Sequence, residues 1–567
     1  MRATRGIVLL TTVWLLARAS STAAQVGFAD PTFGAAGITL ADFDVSGPGV
    51  DEAYAVASTP DGKVVAVGKA AINSSGCNML AVAMILGNGS YDPTFGPNHD
   101  GRFTFEYPGS CHNAAFGVAI DDLGAFGYEI IVAANVQTPS VPSFPTRIAV
   151  LRLTANGTPD SLFGNHAPAG YQDVLVARGP TNNNASGYAL AVDSLHRIFV
   201  AGDAQSPSDT QGFVIRLKTE GAPDGGFGNA GVSILGFGDG NSHVAGMALA
   251  GDGSIFLAGN TANHYQGLVK LGPQGSYSGF GHQYLPANGT PVINGVAVDA
   301  AGKVLIFGSQ SNAITTSGFV RRFNPDGSID RIASFHYTGA PADSSTVEAM
   351  AVQADGRILL AGQRDIPLNQ VSGLGAGVAR LLPDLSLDPF FGNGGVILLD
   401  AAADGGTAIV PHAVALDGNA RLLIAGMAYN QGATPNNFDM FVERMNVMPV
   451  NACQGIPTQA CLLAGRFKVS VAFKPGNGPA GSAYLTPFGS DNSAIFYFFD
   501  GSNWELLLKT LDGCGLNQHF WVFYAATTNV QFTITVEDTL KHLVKSYSNP
   551  QGHVATPVTD TSAFSCN

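Results

Sequence analysis

The chain repeats itself. Seven copies of one unit, roughly 55–68 residues each, run from Asp30 to about Val447, and a period of that size with several short strands per copy restricts the fold to a few architectures. Three marks recur in the same order. The first is a turn of the form Asp-Pro-x-Phe-Gly. It is intact at 30–34, 92–96 and 388–392, and reduced to Asp160…Phe163-Gly164 and Asp224…Phe227-Gly228. It erodes to Phe280-Gly281 in the fifth copy and to Asp330 alone in the sixth. The second mark is an apolar run, a turn and another apolar run, as at 55–68 around Asp61-Gly62-Lys63. Its kin lie at 188–202, 247–259, 295–308, 349–362 and 412–426, and more loosely at 116–134. The third is an alternating strand carrying a basic residue near its end: Arg152, Arg216, Lys270, Arg322, Arg380 and Arg444.

Each unit therefore predicts four short strands: a and b from the second mark, c from the third, and d after the Phe-Gly turn. Asp-Gly between apolar runs is a strong hairpin signal, because both central residues must accept positive φ. One four-stranded sheet cannot bury both faces alone, whereas a ring of sheets buries each face against its neighbours. The expected fold is all-β, a seven-bladed β-propeller over residues 25–449 followed by a small disulfide-containing β-sandwich over 450–567. An open β-solenoid is the rival architecture and should show stricter, shorter repeats. The first repeat opens on a d strand near 38–44 and the last closes on a c strand near 441–447. The seventh blade should therefore be completed by the N-terminal strand, which protects two sheet edges at once.

The same order sorts the loops. The a–b and c–d turns are short, uniform and on one face. The b–c and d–a loops are long, variable and on the other: 69–79, 135–146, 174–187, 203–212, 363–376 and 427–440. Function on rigid scaffolds sits preferentially in such loops, so this second face is the candidate binding surface.

Asp-Pro-x-Phe-Gly together with Asp-Gly-Lys/Arg-Ile/Val resembles the delta-60 repeat family of bacterial secreted, propeller-like proteins. The resemblance covers most of 30–447. It implies a fold and no particular substrate.

The first 24 residues read as a secretory signal peptide: Arg2 and Arg5, an apolar run at 7–16, then small residues at 17–24. The run is too short to span a bilayer. The expected location is secreted, whether extracellular, periplasmic or at the cell surface, and the expected state a monomer with no membrane span. Formal charge is −14. Removing the leader, with its three arginines and no acid, leaves about −17, and residues 450–567 contribute about −1. The excess of about −16 on the repeats argues against nucleic acid, which needs a basic footprint. Six cysteines in a secreted chain predict three disulfides. Cys77 and Cys111 fall in two loops of the same face, which makes them a pair. Cys453, Cys461, Cys514 and Cys566 in the tail allow three pairings, of which 453–461 with 514–566 is favoured.

After Pro449 the repeat stops and aromatic residues become dense. Strand-like stretches lie at 466–473, 494–499, 505–509, 520–524, 530–536 and 544–547. Phe496, Tyr497, Phe498, Phe499, Trp504 and Trp521 fit a small domain's core better than a sugar-stacking surface. The stretch from 460 to 567 also resembles a C-terminal module that follows unrelated domains in secreted bacterial proteins. It does so through Asn503-Trp504-Glu505-Leu506, Leu511-Asp512-Gly513-Cys514 and Asp560-Thr561-Ser562-Ala563-Phe564. Reuse behind different partners implies folding support, surface retention or export.

No catalytic, cofactor or metal site is predicted. The repeated Arg and Asp residues read as a structural contact, because an active site is rarely repeated in every unit. The Asp-Gly turns at Asp61, Asp252, Asp355 and Asp417 lack the carboxylate density of a calcium loop. His112, His243 and His412 fall at or near the start of a strands, bordering a propeller's central channel, and are read as satisfied or exposed loop residues. The expected function is non-catalytic binding of a protein or an extracellular glycan on the variable-loop face. The alternative is a propeller lyase or glycosidase with its site at the channel.

Overall fold

The computed structural model describes residues 28–566 apart from 44–48, 72–76, 138–145, 167–169, 175, 177–183, 207, 238–240, 262–265, 279–282, 286–289, 313–314, 339–343, 366–373, 390, 400–406, 431–437, 448–456, 464–465, 491, 540 and 542. The leader, Cys453, the eroded turn Phe280-Gly281 and much of the variable loops lie outside the described residues. The chain divides into two compact units, one of Val26–Met448 and one that includes Pro449–Asn567.

The first unit is all-β. Among the described residues its strands fall into seven antiparallel sets in the order a, b, c, d, and the seventh carries a further short strand, Phe28–Ala29, beside its c strand. The first set is Glu52–Ser58, Val64–Ala71, Asn78–Ile85 and Arg102–Phe105, and the second His112–Asp122, Tyr128–Gln137, Thr146–Thr154 and Tyr171–Val174. A single bridge between Asn78 and His112 joins these two. The third set is Ala185–Val192, Ile198–Gln205, Thr210–Leu217 and Val232–Leu235, and the fourth Ser242–Leu249, Ile255–Thr261, Gln266–Leu271 and Gln283–Leu285. The fifth begins at Thr290–Val298, the sixth at Ala349–Val352 and the seventh at Thr407–Leu416. The seventh set takes its d strand from the N-terminus: Ile38–Ala41 pairs with Phe438–Asn446, Ile38 opposite Glu443 and Ala41 opposite Met440. Each a strand lies against the next set's a strand, and the seventh lies against the first.

The repeated motif explains itself residue by residue. Phe33, Phe95, Phe163, Phe227 and Phe391 are fully buried between sheets. The glycine after Phe33 has φ +52°, and a Cβ there would sit 2.1 Å from the Ile38 carbonyl oxygen, so the turn admits only glycine. The opening Asp accepts the backbone N–H two residues on, as Asp30 does from Thr32 at 3.0 Å and Asp92 from Thr94 at 2.8 Å. Its other oxygen holds the c-strand arginine: Arg152 with Asp160, Arg216 with Asp224, Arg322 with Asp330, Arg380 with Asp388, and Arg444 with Asp30. Four of these guanidinium groups lie over the motif's own phenylalanine, 4.5–4.8 Å from the ring centre. Nη1 then donates to a carbonyl near the end of the next sheet's c strand: Arg152 to Thr219, Arg216 to Pro273, Arg322 to Pro383 and Arg380 to Val447. The first sheet has no c-strand cation, and Lys63 of its a–b turn reaches Asp92 at 2.9 Å instead. The fourth sheet lacks the Asp, and Lys270 lies over the Phe256 ring with Asp252 4.0 Å away.

Among the described residues the second unit holds two five-stranded antiparallel sheets. One is Gln459–Leu462, Phe467–Lys474, Gln531–Asp538 and Leu543–Asn549 with Gly481–Ser482 at its side; the other is Tyr484–Ser490, Ser493–Tyr497, Leu506–Gly513, His519–Ala526 and Val558–Ser565. Their inward residues form one core, from Phe467 and Val469 on one sheet to Phe496, Leu508 and Val522 on the other. Cys514 and Cys566 are disulfide-bonded. Cys461 is also in a disulfide; Cys453, the partner expected for it, lies outside the described residues. The expectation that the tail's aromatics are core holds for Phe496 and Phe498 and fails for the rest: Phe499 is 58% exposed, Trp504 47%, and Tyr497 and Trp521 are half-buried. Strict alternation is the reason for the two tucked into strands, because it turns every second residue of Ser493–Tyr497 and of the Trp521 strand away from the core.

Candidate functional site

In each set the strand ends that lead into the b–c and d–a connections lie at one end of the sheet. Cys77 and Cys111 bridge two of these connections as a disulfide, with Cα atoms 4.9 Å apart. Two polar groupings lie toward this end of the strands, and neither was singled out as a site by the sequence.

The first is a cleft of about 330 Å³ between the third and fourth sheets. Its walls come from the ends of the strands: Asn184, Ser186 and Tyr188 from the start of one a strand, Asp203 and Gln205 from the end of b, and His243 from the next a strand. A device repeated at other sheet junctions explains the geometry. Strand b carries a glycine whose Cβ, if present, would meet a carbonyl oxygen of strand a at about 2 Å: Gly202 against Ser186, Gly259 against His243, Gly308 against Val292. The residue after that position reaches to the next sheet. Asn135 accepts from Gly187 N at 2.8 Å and donates to Gly187 O at 3.0 Å. Asn260 does the same to Ile293, at 2.9 and 3.1 Å. Ser309 accepts from Val347 N at 3.2 Å.

At the cleft the equivalent residue is Asp203. It keeps the accepting half of the bond, from Val244 N at 2.8 Å. It has no proton to give the strand carbonyl, and its second oxygen takes Nδ1 of His243. That hydrogen bond raises the His243 pKa above its ordinary value, working against burial, which would lower it. The Tyr188 ring stands edge-on to His243, centroids 4.7 Å apart. Burial, with the Asp203 charge behind it, pushes the Tyr188 phenol up, so it stays protonated near neutrality. Asn184 Nδ2 donates to Gln205 Oε1 at 2.6 Å, and Asn241 Oδ1 accepts from Thr210 N at 2.8 Å. The lining thus offers amides, hydroxyls, one exposed aromatic ring and one carboxylate–imidazole pair.

The second grouping joins the seventh sheet to the first. Glu52 lies 2.8 Å from His412 Nε2 and 2.8 Å from Lys69 Nζ, and accepts from Tyr54 OH at 2.7 Å. Lys69 also donates to Tyr54 OH at 2.9 Å. Burial alone would raise Glu52, but hydrogen bonds from His412, Lys69 and Tyr54 outweigh it and hold the carboxyl at about 2. A carboxylate so firmly ionised is a weak base at neutral pH.

The three histidines go to three places: His243 to the cleft, His412 to Glu52, and His112 to a 3.3 Å contact with Asn78 Oδ1. The Asp-Gly turns are turns. Asp252 accepts from Ser254 N, and Asp417 from Asn419 N and Arg421 N. Asp512 lies beside Cys514 and Cys566, whose sulfurs are committed to their disulfide. Sequence reasoning missed Asp203, Tyr188 and Glu52. Aligning the residue after each strand-b glycine, Lys69, Asp203, Asn260, Ser309, Gln363 and Met427 with Asn135 at the same place, isolates Asp203 as the one acid in the series.

Residues 143–163, 302–331 and 353–391 match a family model described as "Domain of unknown function (DUF5122) beta-propeller". The chain is therefore similar to a β-propeller family over three of its repeats. No curated protein matches the sequence. Solved structures that resemble it include polysaccharide lyase Uly1, at 11% identity over 71% of this chain and 91% of that one, TM-score 0.39. Sqt1 from Chaetomium thermophilum follows at 10% identity over 70% and 97%, TM-score 0.38. A mutant of NanB sialidase from Streptococcus pneumoniae aligns at 11% identity over 73% and 71%, TM-score 0.36.

Proposed function

We propose that the protein is a secreted, non-catalytic glycan-binding molecule: a seven-bladed propeller of delta-60-like repeats that receives a sugar on its variable-loop face, followed by a disulfide-bonded β-sandwich module. The observation that carries this reading is the cleft between the third and fourth sheets. Its convergent amides and hydroxyls, with the Tyr188 ring among them, are the groups that hydrogen-bond a polyol and stack on its C–H face. The propeller supplies rigidity, since the walls are strand ends fixed by inter-sheet hydrogen bonds. A leader-like N-terminus and the disulfides support an oxidising compartment. Among the described residues no helix is long and apolar enough to cross a membrane.

The test is calorimetric titration of the purified chain with a library of neutral oligosaccharides, with reducing ends assayed in parallel. Binding should appear without new reducing ends. Tyr188→Ala should weaken it about tenfold, the scale of one stacked aromatic contact, and leave thermal unfolding nearly unchanged. Release of reducing ends or unsaturated sugar would move the reading to a propeller lyase or glycosidase. The grouping in which Glu52 and Lys69 hold the Tyr54 hydroxyl beside His412 is the observation that favours that second reading, and Tyr54→Phe is its test: loss of turnover without loss of binding.

A further inference from the structure

We infer that the cleft takes uncharged sugars and excludes acidic ones, and that Asp203 with His243 is the pair that discriminates. This deepens the glycan-binding reading and rests on it.

The argument starts from what the other junctions do without. Asn135 and Asn260 close on the next strand with an amide that both accepts and donates. An asparagine at 203 would do the same. The carboxylate gives up the donating half of that bond and places a negative charge in the cleft wall instead. Its side chain is 8% exposed, far enough from water for the charge to act strongly across the cavity. Among the described residues the lining contains neither lysine nor arginine to offset it. A uronate or sulfated unit would bring a second negative charge into this concave space. A neutral unit brings hydroxyl donors, and a carboxylate has about four acceptor positions, of which Val244 N and His243 use two.

His243 sets the strength of the exclusion. Among the described residues the ionisable groups facing it are Asp203 and Tyr188, and the phenol stays neutral across the range considered. Protonated, the imidazolium cancels the Asp203 charge. Neutral, it leaves the carboxylate bare. Exclusion of acidic sugars therefore strengthens as pH rises through the His243 titration and relaxes below it. A purely structural Asp203 would show no such pH signature.

The experiment uses the full chain and a library of neutral hexasaccharides, offered before and after C6 oxidation to uronates, at pH 5 and pH 8. At pH 8 the oxidised members should bind about tenfold or more weakly than their parents, and at pH 5 the gap should shrink. Asp203→Asn, which installs the residue already used at 135 and 260, should bring the two forms within about threefold at both pH values. His243→Gln should hold the gap at its pH 8 size throughout. If no neutral hexasaccharide binds, the glycan reading itself fails. If neutral members bind and the oxidised ones bind as well at pH 8, or if the gap survives Asp203→Asn, charge selection is overturned and the glycan reading stands.

Discussion

An aspartate does opposite work at the two ends of the strands. On the turn face, Asp388 is fully buried between Arg380 and Arg357, and Arg380 continues to the carbonyl of Val447 near the end of the seventh c strand. The contact recurs in sheet after sheet, with the ring of phenylalanine beneath it. On the loop face, Asp203 stands where neighbouring sheets carry asparagine, and holds a half-exposed histidine rather than a buried arginine. The first is repetition, and its logic is structural: each pair ties one sheet to the next. The second is departure from repetition, and a departure at one junction of a ring is where a specific function can be placed.

Substitution should separate the two most sharply. Asp388→Ala leaves the buried Arg380 guanidinium without its carboxylate, whereas Arg357 keeps Asp355, and should cost about 3–5 kcal/mol in urea unfolding. Asp203→Asn restores the two-way amide of its neighbours and should cost under about 1 kcal/mol. Equal losses at the two sites would erase the distinction. A smaller effect is expected at the loop face's own staple. Cys77→Ala with Cys111→Ala removes a bridge that closes a loop of sequence separation 34 and should cost roughly 2–4 kcal/mol, with oligosaccharide affinity in the cleft unchanged. Gly202→Ala should cost about 1–3 kcal/mol, because the new Cβ would lie 2.0 Å from the Ser186 carbonyl oxygen. It differs from the disulfide variant in also weakening binding, since Ser186 and Asp203 line the cleft.

What the sequence revealed follows the same division. The Asp-Pro-x-Phe-Gly turn is legible because each of its residues meets a constraint that only a few side chains satisfy: an acceptor for a turn N–H, a fully buried ring, a left-handed backbone. The chain order also placed Ile38–Ala41 beside Phe438–Asn446, and the sorting of the loops onto one face placed Cys77 beside Cys111. The cleft was not legible by motif search. Asp203 sits in Val-Ala-Gly-Asp-Ala-Gln, an ordinary strand end, and means nothing until compared with its six counterparts. Its partner His243 is 40 residues away, on another sheet, and Tyr188 owes its inward place to a bulge between Gly187 and Ala189 that alternation does not foresee. In the tail, aromatic density points to core, whereas the pleat turns alternate rings of the strands away from it.

The smallest expected effect is the most diagnostic of the comparison. The hydrogen bond to Asp203 raises the folded-state pKa of His243, so the pair stabilises the fold fully below the ordinary histidine range and loses that contribution as pH rises through the shifted value. The ring is half exposed, solvent screens it, and the change in unfolding free energy should stay under about 1 kcal/mol. The titration itself is the better readout. Followed by the imidazole proton resonances, His243 should titrate above the ordinary value of 6.5, and Asp203→Asn should bring it back. His412 serves as the internal control: its contact is Glu52, in the seventh–first junction, so Asp203→Asn should leave its resonances in place. A His243 titration that ignores Asp203→Asn would mean the two side chains do not meet in solution, and the cleft would then lose the feature that sets it apart from the other junctions of the ring.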